Sequence, residues 1–262
     1  MEIATSKVTE NLPLRTSSPK SPPSENAALV GKIIKSFNTW AFKREQPSDL
    51  ALLTRFVTQA VARQEPVSFV LYWGKGPRSE IANPDIECLD YLMSFAARIQ
   101  DAYKPGAKIQ LVLTDTHASL NGHSPLETKT YHSQIASQAR GRGFESYSLG
   151  DLTAASRDAV SAVGFASPSE ETLQQLSASA MKWYRGQGTA EEGAKKYYFM
   201  NMVERQVIEL AFPSSIFVSF NGREQRELFP ENLPIFYMYS LRRGTSVKPW
   251  FLPEPVTTAP AA

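Results

Sequence analysis

Three short segments carry residues that could bind an anion or move a proton. The first, Trp73-Gly74-Lys75-Gly76-Pro77-Arg78, sets two cations three residues apart, beside glycines that let a ligand approach the backbone. A helix start follows at Asn83-Pro84-Asp85, with Asn83 expected as the cap, and its unpaired N–H groups suit a phosphate or carboxylate. The second, Thr114-Asp115-Thr116-His117, delivers a carboxylate and an imidazole two residues apart. If the chain stays extended, both face one ligand, where a histidine near a carboxylate serves as general acid or base. The third, Lys195–Arg205, puts Tyr198, Met202 and Arg205 on one helical face. Each segment also has a plain structural reading. Lys75 and Arg78 could be solvated cations in an exposed turn, Asp115 a turn former beside a surface His117, and Arg205 the partner of Glu204 or Glu209.

Other chemistries find little support. No Walker A loop is present, and Arg78-Ser79 stand where a dinucleotide fingerprint needs its third glycine. No Gly-x-Ser-x-Gly elbow occurs, and the single cysteine, Cys88, falls among apolar positions of a predicted helix, where a thiol is inert. His117, His123 and His132 lack metal-ligand spacing, so no metal site is expected.

The elements that must position these groups alternate along the chain. Leu29, Val30, Ile33, Ile34 and Phe37 form a helical stripe, and a second runs from Leu52 to Val61 after the start signal Pro47-Ser48-Asp49. Val67–Trp73 reads as a buried strand, the helix from Pro84 ends at Pro105-Gly106, and Lys108–Thr114 reads as a second strand. Ser124 with Glu127 opens a helix reaching about Arg140, and Phe144–Leu149 is a third strand. Two more capping pairs, Ser167 with Glu170 and Thr189 with Glu192, each open a long helix. Strands at Ser215–Phe220 and Pro234–Leu241 close the pattern, with Asn221-Gly222 marking a turn between them. The succession predicts an α/β fold, a Rossmann-like parallel sheet with helices on both faces and further C-terminal helices and strands.

The 262 residues carry 28 Lys and Arg against 26 Asp and Glu, so the formal charge of +2 gives no broad field for nucleic acid. No 18-residue apolar run occurs and Met1–Glu10 lacks a secretory stretch, so neither a membrane partner nor export is expected, and the location expected is cytoplasmic. Residues 1–23 read as a disordered arm, 24–251 as one α/β domain of catalytic type and 252–262 as a loose tail. Oligomeric state is open.

The order of these motifs resembles the isocyanide (isonitrile) synthase family, which includes the pyoverdine- and dityrosine-biosynthesis type proteins. Lys75-Gly-Pro77-Arg78 is similar to the family's Lys-Ser-Pro-Asn segment, and Pro84-Asp85 with Glu87 opens the helix that follows. Tyr103-Lys-Pro105-Gly106-Ala107 precedes a strand ending at Asp115, where the family has Ser-Asp-Gly. Glu204-Arg205, Ser215–Phe220 and Pro249-Trp250 are similar to its closing region. Similarity is clear over about 50–149 and weaker over about 182–250. The chain departs from the pattern at Thr116, at Ser219-Phe220-Asn221-Gly222, which lacks the family's histidine, and at Trp250-Phe251, where the family has Trp-His.

The resemblance implies an enzyme of secondary metabolism with no cofactor. It would convert the amino group of an amino acid, aromatic by preference, to an isonitrile, with ribulose 5-phosphate as carbon donor. It further implies Lys75 and Arg78 on the sugar phosphate, Arg205 on the amino-acid carboxylate, Ser219 and Trp250 beside substrate, and Lys75, Asp115 and His117 as the proton-transfer groups. A diverged, non-catalytic member binding a phosphorylated metabolite or a protein partner is the alternative.

Overall fold

The computed structural model describes residues 25–160 and 164–239, the side chain of Trp183 apart. The arm 1–23, the tail 252–262, Arg242-Arg243-Gly244 and Trp250 lie outside the described residues.

Two amphipathic helices, α1 (Glu25–Phe37) and α2 (Leu50–Arg63), lead into strand β1 (Val67–Trp73). Asp49 caps α2 by accepting a hydrogen bond from the Leu52 N–H at 2.8 Å. Helix α3 (Asn83–Ala102), strand β2 (Ala107–Leu113), helices α4 (Asp115–Leu120) and α5 (Pro125–Gly141), and strand β3 (Glu145–Ser148) follow. After the short helices α6 (Leu149–Ala155) and α7 (Arg157–Val160), two longer ones, α8 (Glu170–Trp183) and α9 (Ala190–Ala211), bring the chain back. Strand β4 (Ile216–Ser219), a 3-10 helix (Arg223–Leu228) and strand β5 (Ile235–Tyr237) complete the sheet.

All four strand pairings are parallel, and the sheet order is β3-β2-β1-β4-β5. The chain builds outward from β1 to β3, then crosses back to lay β4 on the other side of β1. This is the Rossmann-like α/β arrangement expected, and it places a topological switch point between β1 and β4.

The pleat of β1 sends successive side chains to opposite faces. Val67, Phe69, Leu71 and Trp73 enter a core shared with α1, α2, α3 and α5, where Phe37, Phe69 and Phe95 meet edge to face at 5.0–5.8 Å. Val70 and Tyr72 enter a second core with α9 and the 3-10 helix, around Met202, Ile208 and Phe217. Among the described residues no helix is long and apolar enough to cross a membrane.

Several helix ends differ from expectation. The residue capping α3 is Ala82, not Asn83, and the missing side-chain cap is replaced by Asp85, whose carboxylate accepts the Ala82 N–H at 2.9 Å. Helix α8 is capped by Ser169 rather than Ser167. The reciprocal box of Thr189 and Glu192 is present, with both hydrogen bonds formed. The Cys88 thiol is buried in the first core, and burial pushes its pKa up to about 12, so it is an inert core residue.

His132 on α5 is buried and its Nε2 has no hydrogen-bond partner among the described residues. Burial lowers its pKa from 6.5, partly offset by the Asp115 carboxylate. A base whose folded pKa is depressed binds fewer protons folded than unfolded, so its contribution to stability is complete above pH 6.5 and is lost as pH falls below it. The denaturant midpoint should therefore drop on acidification from pH 7 to 5, and His132→Gln should drop less across the same interval.

Candidate functional site

A cleft of about 530 Å³ opens at the carboxyl ends of β1 and β4, the switch point of the sheet. Tyr72 and Gly74 line it from β1, Phe217 to Asn221 from β4, His117 from α4, and Tyr197 and Asn201 from α9. Helix α8 and Tyr184 close one side. The Tyr184 ring lies across the first turn of α9 at Gly193, where a β-carbon would meet it at 2.8 Å, so only glycine fits there.

An imidazole–carboxylate pair in the cleft joins two elements that the parallel sheet brings together. Glu204 of α9 is 1 % exposed and accepts hydrogen bonds from the Thr116 hydroxyl at 2.6 Å and from His117 Nε2 at 2.7 Å. With Nε2 turned to the carboxylate, Nδ1 is the ring nitrogen left to take or give a proton. A carboxylate that orients an imidazole and stabilises its cation is the arrangement that general-base catalysis requires. Tyr72 and Tyr197 flank the imidazole, with ring centroids 6.0 and 5.3 Å from it. Burial first, and then the Glu204 carboxylate, pushes the Tyr197 phenol up to about 12 and the Tyr72 phenol well above its ordinary value. Both phenols stay neutral at physiological pH.

The remaining residues singled out from sequence go elsewhere. Asp115 and His117 do not share a ligand, because the chain turns helical at Asp115 and residues two apart on a helix point about 200° from each other. Asp115 accepts from the Ser148 hydroxyl and the Gly150 N–H, tying α4 to the start of α6. Lys75 turns to the opposite face of the sheet from Tyr72. There its ammonium, 2 % exposed, meets Asp85 Oδ1 at 2.9 Å and donates to the Pro84 carbonyl. Arg78 reaches the same carboxylate at 3.4 Å and lies over the Tyr131 ring, whose hydroxyl also donates to Asp85. Neither cation lines the cleft. Arg205 donates to the Glu227 carbonyl and pairs with Glu231 at 2.9 Å, away from the cleft. Ser219 does line it, with its hydroxyl holding the Asn221 backbone, and Trp250 lies outside the described residues.

Sequence reasoning passed over Tyr72, Tyr197, Asn201 and Arg44. Tyr197, Asn201 and Glu204 stand at i, i+4 and i+7, one face of a helix, and that spacing was a readable signal for a polar stripe. Arg44 carried none. It precedes α2 in a loop and reaches the cleft because its N–H pairs with the Tyr237 carbonyl at the end of β5. It is the one lysine or arginine among the described lining residues, 37 % exposed, with carboxylates of Glu45 and Glu224 at 3.4 and 3.6 Å.

No known family profile and no curated protein matches this sequence. Among solved structures, the PvcA protein of Pseudomonas aeruginosa superposes with a TM-score of 0.62 at 19% identity, covering 85% of this chain and 87% of that one. The fold is PvcA-like. A tryptophanyl-tRNA synthetase homolog from Entamoeba histolytica matches at TM-score 0.44 and 11% identity, over 86% of this chain and 65% of that one. Tyrosyl-tRNA synthetase from Pyrococcus horikoshii matches at 0.41 and 14%, over 76% and 52%.

Removing one partner of a buried ion pair strands the other charge, at a cost of about 3–5 kcal/mol. Asp85→Ala should therefore destabilise the fold by about that amount in denaturant titrations. Lys75→Met, which leaves Arg78 to neutralise Asp85, should cost less and leave ligand affinity at the cleft unchanged.

Proposed function

We propose that this protein is an isonitrile synthase-like enzyme that joins the amino group of an aromatic amino acid to a carbon supplied by ribulose 5-phosphate, in secondary metabolism. The observation that carries this reading is the His117–Glu204 pair in an aromatic-walled cleft at the switch point of a PvcA-like fold. An amino acid reacts through nitrogen only once its ammonium has lost a proton, and His117, backed by Glu204, is the base that takes it. Tyr184, Tyr197 and Tyr72 offer ring faces and edges for an aromatic side chain. Arg44 is the lining cation that can turn to a carboxylate or phosphate, exchanging partly solvated contacts to Glu45 and Glu224 at 3.4 and 3.6 Å and to the Phe220 carbonyl at 3.2 Å. Lys75 and Arg78 have no part in this reading, because neither lines the cleft.

A second reading, binding of a phosphorylated metabolite or a protein partner without turnover, draws on the β4 end of the cleft. Ser219 to Gly222 brings no imidazole there.

Incubation with ribulose 5-phosphate and a panel of aromatic amino acids, followed by mass detection of isonitrile, separates the two. Product is expected with the native protein. Glu204→Gln should lower turnover about 10²–10⁴-fold, and His117→Ala should abolish it while the circular dichroism spectrum is kept. Folded protein that yields no isonitrile from any amino acid overturns the first reading.

A further inference from the structure

Tyr72 lines the cleft, and its hydroxyl, closed off from solvent, is the one buried side-chain polar atom of the lining residues without a hydrogen-bond partner among the described residues. A buried hydroxyl left unpaired is costly, and such groups concentrate where a ligand completes them. Phe217 packs against its ring edge to face at 5.2 Å, and the His117 ring lies 6.0 Å from it. The nearest carboxylate, Glu204, is already engaged by Thr116 on one oxygen and by His117 on the other.

The chemistry of the missing partner follows from the surroundings. A neutral phenol can donate and accept, and an acceptor is the partner that satisfies its O–H. An anionic acceptor is disfavoured, because the buried Glu204 carboxylate and the Tyr197 ring stand beside the same spot and the lining cation, Arg44, belongs to the β4 and β5 side. A neutral oxygen meets neither objection. We propose that Tyr72 is the donor that receives and polarises a neutral carbonyl oxygen of the ligand, beside the His117–Glu204 base. This rests on the proposed function in one respect, that the reaction joins an amine to a ketose phosphate; the ketone of ribulose 5-phosphate is then the oxygen concerned. Fixed donors aimed at a carbonyl whose oxygen gains charge during attack act mainly on the rate.

Tyr72→Phe tests this in three measurements. In the empty protein the variant should be as stable as the native chain or more so, because it removes a hydroxyl that bonds to nothing. A clear loss of stability would show the hydroxyl to be a structural partner and overturn the inference, whatever the protein's reaction. By calorimetry the native protein should bind ribulose 5-phosphate several-fold more tightly than ribitol 5-phosphate, which lacks the carbonyl, and the variant should bind the two alike. Equal binding of both by the native protein, binding of neither, or a preference retained in the variant overturns it. In the isonitrile assay kcat should fall about 10²-fold with KM little changed, and an unchanged kcat overturns it. Carbonyl preference lost in Tyr72→Phe, in a native protein that forms no isonitrile, would leave this inference standing and remove the proposed function instead.

Discussion

Side chains alternate along β1, and that alternation decides which face each residue at its carboxyl end joins. Trp73 and Lys75 fall on the α3 and α5 face, whereas Tyr72 falls on the α9 face. The strand end therefore feeds two chemically distinct sites 180° apart. One is a closed knot in which Asp85 gathers Lys75, Arg78, Tyr131 and the Ala82 N–H. The other is open and holds the imidazole. Exchange between them would need a one-residue slip of β1, which would move Phe69 and Leu71 out of the core they share with α3 and onto the α9 face.

The knot is a device for ending a loop. The segment after β1 turns two cations inward, and a single carboxylate at the start of α3 contacts both while also capping the helix. An aspartate at that position satisfies the helix dipole and the buried ammonium at once. Lys75 is thereby committed to Asp85 and the Pro84 carbonyl, whereas Arg78 keeps Nε and Nη1 without a hydrogen-bond partner among the described residues. On the open side, Glu204 plays the corresponding part with less charge to balance, since it faces a hydroxyl and an imidazole, and the imidazole keeps a nitrogen for chemistry.

The parallel sheet supplies the rest. Because β4 returns beside β1 after the excursion through β3, the ends of these two strands diverge and cannot be filled by a connecting loop. Helix α9, the element just before β4, lies across the gap and presents Tyr197, Asn201 and Glu204 to the residues after β1 and β2. The PvcA-like arrangement extends over most of the chain.

Local patterns were enough to read the α/β alternation, the apolar stripes of α1 and α2, the Asp49 and Thr189 caps and the inert Cys88, because each depends on residues within one or two turns of each other. They also put His117 near the carboxyl edge of the sheet. What they could not reach were pairings that join distant segments. Asp85 lies ten residues from Lys75 across a turn, Glu204 lies eighty-seven from His117, and Arg44 meets the cleft only through β5. The cations of the β1 loop read from sequence as ligand groups or as solvated cations of an exposed turn, and their burial against Asp85 was neither, because it depends on how the loop packs on α3. Composition and periodicity thus determined the layers and the edge where chemistry could occur. Tertiary folding decided which side chains share that edge, because a strand's facing and a helix's rotation are set by cores that many separate segments build together.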